Sequence, residues 1–148
     1  MTWLDCSISM RINWGFSMIF LDTSYHKALL DEKDVHHNDA IEIKDYIENI
    51  NTPTVINTTV LVETLNKSFK IKIPIEELFN NLIKNNDMVT LTNKDYQESL
   101  DVSRWLGYSI NYSDCTIVNT MIKEGIRDIV TFDSDFKKIN SINVIYKV

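Results

Sequence analysis

The sequence predicts an α/β protein, a three-layer sandwich with a central parallel five-stranded sheet and helices on both faces. Three observations carry this. Short apolar runs alternate with amphipathic segments along the chain. Runs such as "MIFL" at 18–21 are apolar at every position rather than every second one, as in strands buried on both sides. The strands are separated by helical segments instead of hairpin turns, which calls for crossovers and parallel pairing. A chain of 148 residues, with 44% apolar residues and only 3 Gly and 2 Pro, has enough core for one domain and no linker to divide it.

The elements follow in order. "MIFLDTS" (18–24) is a buried strand ending in Asp22 and Thr23, and a short helix continues over 24–30. Residues 36–50 place Ala40, Ile41, Ile43, Tyr46, Ile47 and Ile50 at helical spacing. A second strand spans 52–57, with Pro53 at its mouth. Asn57 or Thr58 caps the helix of "TTVLVETLNKS". Residues 73–85 repeat the amphipathic period with Pro74 in the first turn, and 87–92 form a third strand. A helix over 93–109 ends near Gly107. Another over 112–125 opens around Ser113 or Asp114 and stops at Gly125. Strands over 128–132 and 142–148 complete the sheet.

The first residues stand apart. The stretch 1–21 is apolar, but Asp5, Arg11 and Asn13 interrupt it and no basic leader precedes it, which disfavours a signal peptide. Met18 opens a clean strand. The expected organisation is an extension over 1–17, either genuine or a mis-called start, and a domain over 18–148. No apolar run approaches the roughly 20 residues of a membrane span. Cys6 and Cys115 lack metal-type spacing, and a reduced intracellular protein is expected. The net charge of -6 argues against binding nucleic acid through a broad basic surface. It leaves room for a compact acidic site that reaches phosphates through a divalent cation.

"IVTFDSDF" (129–136) suggests such a site, because a strand here delivers Asp133 at its carboxyl end, with Asp135 two positions on. Three readings are open at this point: an Asp-x-Asp phosphatase, a metal-dependent nuclease, or plain capping of the next turn. The phosphatase motif stands at the start of its core, whereas here only 13 residues (148 − 135) follow Asp135, which leaves no room for that machinery. In a parallel sheet Asp22 shares the rim with Asp133, and Asp114 opens the helix that returns from that rim. Glu63 sits among Val60, Leu61, Val62 and Leu65, an unusual place for a carboxylate unless it is paired. Each acid has a bland explanation: Asp22 and Asp133 as caps, Asp114 favouring a helix N-terminus, Glu63 a solvated strip with Thr59 and Asn66. Together they do not, since two carboxylates about 4 Å apart repel by roughly 4 kcal/mol at an effective dielectric near 20. A cation or shared protons must offset that repulsion, and all-oxygen ligands suit Mg²⁺ or Mn²⁺.

The order "FLDTSYHKALL", "INTTVLVETLN", "YSDCTIV", "IVTFDSDFKKI" resembles the PIN-domain ribonucleases, most of all the small VapC-type toxins of toxin–antitoxin pairs. The resemblance covers residues 18–148. It implies a PIN-like fold and metal-dependent hydrolysis of RNA, leaving a 3′-hydroxyl and a 5′-phosphate. Asp22, Glu63, Asp114 and Asp133 fill the places of its catalytic and metal-binding acids. Thr23 and Thr131 match supporting hydroxyl positions, and Asp135 a more variable one. The resemblance further implies Mg²⁺ or Mn²⁺, an RNA substrate, a cognate antitoxin, a homodimer and a cytoplasmic location. Residues 1–17 depart from the minimal family pattern. The competing class of reading is a catalytically idle module that binds protein or RNA through the same acidic rim. Elsewhere, His26, His36 and His37 are candidate general acids or metal ligands but read first as surface histidines on helices, and Trp105 and Tyr108 are candidates to stack on bases but read first as core or dimer surface. Lys27, Lys67, Lys70, Lys72, Arg104 and Lys123 are candidates to guide RNA, most of them reading as ordinary solvated charges.

Overall fold

The computed structural model describes residues 17–148. Apart from Ser17, the expected extension lies outside the described residues, and Cys6 with it. The five strands are β1 (Ile19–Leu21), β2 (Thr54–Asn57), β3 (Asp87–Val89), β4 (Asp128–Val130) and β5 (Asn143–Ile145). They form one sheet in the order β3-β2-β1-β4-β5, parallel throughout. Among the described residues seven α-helices accompany it: α1 (Thr23–Leu30), α2 (His37–Ile50), α3 (Thr58–Asn66), α4 (Ser68–Ile71), α5 (Ile75–Asn85), α6 (Asn93–Trp105) and α7 (Tyr112–Glu124). A 3₁₀ helix spans Ser134–Lys138.

Successive residues of a strand point to opposite faces of the sheet. Ile19, Phe20 and Leu21 are nevertheless all buried, so both faces of the central strand are covered. The edge strands β3 and β5 are only half-buried. The register pairs Phe20 with Val55 on one side and with Ile129 on the other, and these side chains form the centre of the core. Helices α6 and α7 pack on each other, and α1 packs on α2 and α3.

Helix α7 is buried without a break from Asp114 to Met121. Its C-terminus closes at Gly125, in the left-handed region at φ 69°, where the Ile126 N–H donates to Met121 O at 2.8 Å. Asn57 ties the end of β2 to this helix. Its Oδ1 accepts from Val60 N–H at 3.1 Å and caps α3, while its buried Nδ2 donates to Thr120 Oγ1 at 3.1 Å.

The strands are shorter than the apolar runs suggest: the Asp22 and Thr131 N–H groups make the last inter-strand bonds, to Val130 O and Ile145 O, and the chain then turns to begin the site. The helix expected to run on through Ser68 breaks after Asn66. It resumes as the single turn α4 and ends where Lys72 adopts a left-handed backbone at φ 58°. Trp105 and Tyr108 are 57% and 72% exposed, so neither belongs to the core. They sit where α6 ends and the chain turns through left-handed Gly107 and Tyr108. His26 is not a surface residue either; it is a buried residue of α1.

Replacing Asn57 by Ala removes a helix cap and a buried amide bond together. It should destabilise the protein by about 2 kcal/mol, read as a lowered urea midpoint with an unchanged slope.

Candidate active site

The chain runs β1-β2-β3 to one side of the sheet and then crosses back to place β4 on the other side of β1. Ligands of open α/β sheets lie at this reversal, beyond the carboxyl ends of the strands. Asp22 leaves β1 there, and Thr131 to Asp133 leave β4 beside it. The Asp22 N–H donates to Val130 O at 3.1 Å, extending the pairing by one residue.

Two hydroxyls hold the Asp22 carboxylate. Thr131 Oγ1 donates to Asp22 Oδ2 at 2.7 Å, and Ser24 Oγ donates to the same oxygen at 3.0 Å. Each hydroxyl has a single proton, so each can accept as well. Thr131 Oγ1 takes the Asp133 N–H at 3.0 Å, and Ser24 Oγ takes the Phe132 N–H at 3.0 Å. The backbone after β4 is thereby fastened to the carboxylate after β1. Asp133 Oδ1 in turn accepts from the Asp135 N–H at 2.9 Å and caps the 3₁₀ helix. The capping role considered for Asp133 is real, and it occupies one oxygen of two.

Among the described residues, Asp114, Asp133 and Asp135 each place a carboxylate oxygen within 4.8 Å of the others. Asp114 comes from the first turn of α7 and is buried, with Oδ2 lacking any hydrogen-bond partner. Burial, then the charges of Asp22, Asp133, Glu63 and Asp135, push its carboxyl up to about 7. Asp22 and Glu63 stand outside the close trio but within its field. Burial raises Asp22 against the pull of its hydroxyl bonds, and the Asp133 charge adds to the rise.

Glu63 is half-buried on α3 and is also raised, by burial first and by Asp22 second. The hydroxyls of Thr23 and Ser113 and the charge of Lys67 oppose the shift. Thr23 Oγ1 is buried without a hydrogen-bond partner, so its influence on Glu63 is that of a near approach rather than a bond. Lys138 pairs with Asp135 Oδ1 at 2.9 Å and partly neutralises the outermost member.

Three converging carboxylates with an orphaned buried oxygen form a hard, all-oxygen donor set. They fit a divalent cation such as Mg²⁺ or Mn²⁺. The histidines do not contribute to it: His26 is buried with Nε2 unpartnered and its pKa lowered by burial to about 4. His37 Nδ1 contacts Ala28 O at 2.8 Å, and His36 stacks on Phe132. Lys27, Arg104 and Lys123 are engaged with Asp34, Asp101 and the Asp95/Glu98 pair.

The sequence profile of the PIN domain matches residues 19–142. The chain belongs to the PIN-domain family. No curated protein matches it by sequence. Solved structures do match this PIN domain in fold. VapC20 of Mycobacterium tuberculosis, described as a sarcin–ricin loop cleaving toxin, aligns with TM-score 0.66 at 22% identity, over 82% of this chain and 95% of that one. VapBC2 of Rickettsia felis, bound to a DNA fragment from its promoter, aligns at 0.63 and 18% identity, over 86% and 97%. A toxin–antitoxin complex of Klebsiella pneumoniae aligns at 0.67 and 15%, over 88% and 99%.

Sequence reasoning ranked Asp135 below the four acids, whereas the structure sets it in the close trio. It also passed over Ser24 and Ser113. The signal for Ser24 was present in "DTS", a hydroxyl two residues beyond a carboxylate at a strand end.

The raised carboxyl of Asp114 makes the metal-free protein pH-sensitive. Unfolded, the group titrates near pH 4; folded, near 7. The folded state therefore keeps a proton that the unfolded state has lost, and stability falls as pH rises between those values. A bound cation needs the deprotonated form, so Mn²⁺ should raise Tm more at about pH 8 than at about pH 5.5. Asp114→Asn should raise the metal-free Tm at about pH 8 and abolish the Mn²⁺ shift. Thermal unfolding by circular dichroism measures both, and an undiminished Mn²⁺ shift in this variant would exclude Asp114 from the metal site.

Proposed function

We propose that this PIN domain is a metal-dependent endoribonuclease and the toxin of a toxin–antitoxin pair, cutting RNA by phosphodiester hydrolysis. The observation that carries this reading is the convergence of Asp114, Asp133 and Asp135 at the strand reversal, with Asp22 and Glu63 electrostatically coupled to them.

In this proposal Asp114, Asp133 and Asp135 hold one Mg²⁺ or Mn²⁺ ion, and Asp22 joins them directly or through water. The ion would lower the pKa of bound water and neutralise charge developing on the phosphate. Thr131 and Ser24 keep Asp22 in one orientation. Glu63, whose carboxyl is raised above its ordinary value by burial and by Asp22, is a stronger base than a free carboxylate and is suited to orient the attacking water and take its proton. Attack in line forms a new P–O bond and breaks the bond to O3′, giving a 3′-hydroxyl and a 5′-phosphate.

The partners are part of the same proposal. The solved relatives from R. felis and K. pneumoniae are toxin–antitoxin assemblies, which supports a cognate antitoxin here. A homodimer has apolar surface available in the exposed Val62, Phe79 and Ile83. Among the described residues no helix is long and apolar enough to cross a membrane, which agrees with work on cytoplasmic RNA.

The test is incubation with total RNA in Mg²⁺, Mn²⁺ or EDTA. The expected result is cleavage in either metal and none in EDTA. Asp22→Asn, Glu63→Gln, Asp114→Asn and Asp133→Asn should each lower the rate at least about 100-fold while keeping the far-ultraviolet dichroism of the parent. Wild-type rates from folded Asp22→Asn or Asp133→Asn would refute the assignment.

A further inference from the structure

A cavity of about 250 Å³ opens directly beside the acidic site and shares Asp133 with it. Its other walls include His36, Phe132, Tyr146, Lys137 and Lys147. From this we infer that the cavity is a nucleotide subsite. It would receive one unpaired nucleotide of the RNA next to the scissile bond, the base against the rings and the backbone phosphate on the two lysines. The inference rests on the ribonuclease reading above and deepens it.

Four features point the same way. The size suits a single nucleotide and excludes a duplex. The rings are preorganised: His36 lies flat on Phe132 with 2° between planes and centroids 4.4 Å apart, and an added base extends a stack of that kind. Phe132 is itself fixed by the Ser24 bond to its N–H, so the platform is anchored to the group that orients Asp22.

The cations are the third feature. The chain carries net charge -6, and Lys138 is tied to Asp135. By contrast, neither Lys137 nor Lys147 forms an ion pair among the described residues. Lys137 Nζ instead sits over the Tyr146 ring, 4.1 Å from its centroid, which holds an ammonium in place without neutralising it. Finally, Asp39 also lines the cavity, and a carboxylate acceptor there suits the exocyclic amine of a base. An acidic protein thus keeps two cations outside any described ion pair, and a stacked aromatic pair, at the edge of its carboxylate cluster.

The experiment measures binding of a short fluorescein-labelled single-stranded oligoribonucleotide by anisotropy, in Ca²⁺ and over a range of salt, alongside cleavage in Mn²⁺. Lys137→Ala/Lys147→Ala should weaken binding and flatten the log Kd against log salt slope by about 0.7, the loss of one phosphate contact on a single strand. It should raise KM with kcat largely kept. His36→Ala should weaken binding about tenfold with little change in slope, as loss of stacking does.

Lys44→Ala/Lys84→Ala is the control for net charge. It removes the same charge from α2 and α5 and should leave both readouts unchanged. If the wild type cleaves but the Lys137/Lys147 variant keeps the parent's slope and KM, or the control loses as much, the subsite is refuted and the nuclease stands. If the wild type neither binds nor cuts RNA, the ribonuclease reading fails and the subsite with it.

Discussion

The hydrogen bond from Thr131 Oγ1 to Asp22 Oδ2, at 2.7 Å, is the interaction on which the site depends. It spans the point where the strand order reverses, joining the first strand to the fourth. It fixes the carboxylate after β1 and, through the same oxygen of Thr131, the backbone that carries Asp133. Ser24 repeats the device one residue along. These two hydroxyls, each donating and accepting once, convert a pair of strand ends into a frame.

That frame holds carboxylates that repel one another. Asp114 bears most of the conflict, since it is buried at the start of the most enclosed helix, with one oxygen unmatched. A surface cluster of acids would relax by turning into water. Here Asp22 cannot turn, because its Oδ2 is bonded twice, and Asp114 is held by a helix packed on every side. The protein can meet the cost by keeping a proton on Asp114 or by taking up a cation, and both are answers to the same field.

Much of this could be read from residues alone. The apolar run before Asp22 and the "IVTFDSDF" stretch placed two acids on one rim once parallel pairing was inferred, and the observed order β3-β2-β1-β4-β5 has that rim. What could not be read was side-chain competition. Asp135 joins the close trio only because a 3₁₀ turn, capped by Asp133, swings it inward. His26 has no sequence mark of burial; it is buried within α1, the short helix that packs on α2 and α3. Trp105 and Tyr108, large and aromatic, are exposed where α6 ends and the chain turns through the left-handed Gly107 and Tyr108.

The frame also has a place in time. The two ends of the Asp22–Thr131 bond are 109 residues apart in sequence, and closing so long a loop cannot precede the appearance of its second end. During synthesis the N-terminal portion emerges first, with β1, β2 and β3 free to pair. Until the chain has passed Asp135 and released β4 from the ribosome, none of those earlier parts carries an assembled site. A polypeptide whose proposed target is RNA thus carries no cutting geometry until its fourth strand has emerged from the machine that makes it.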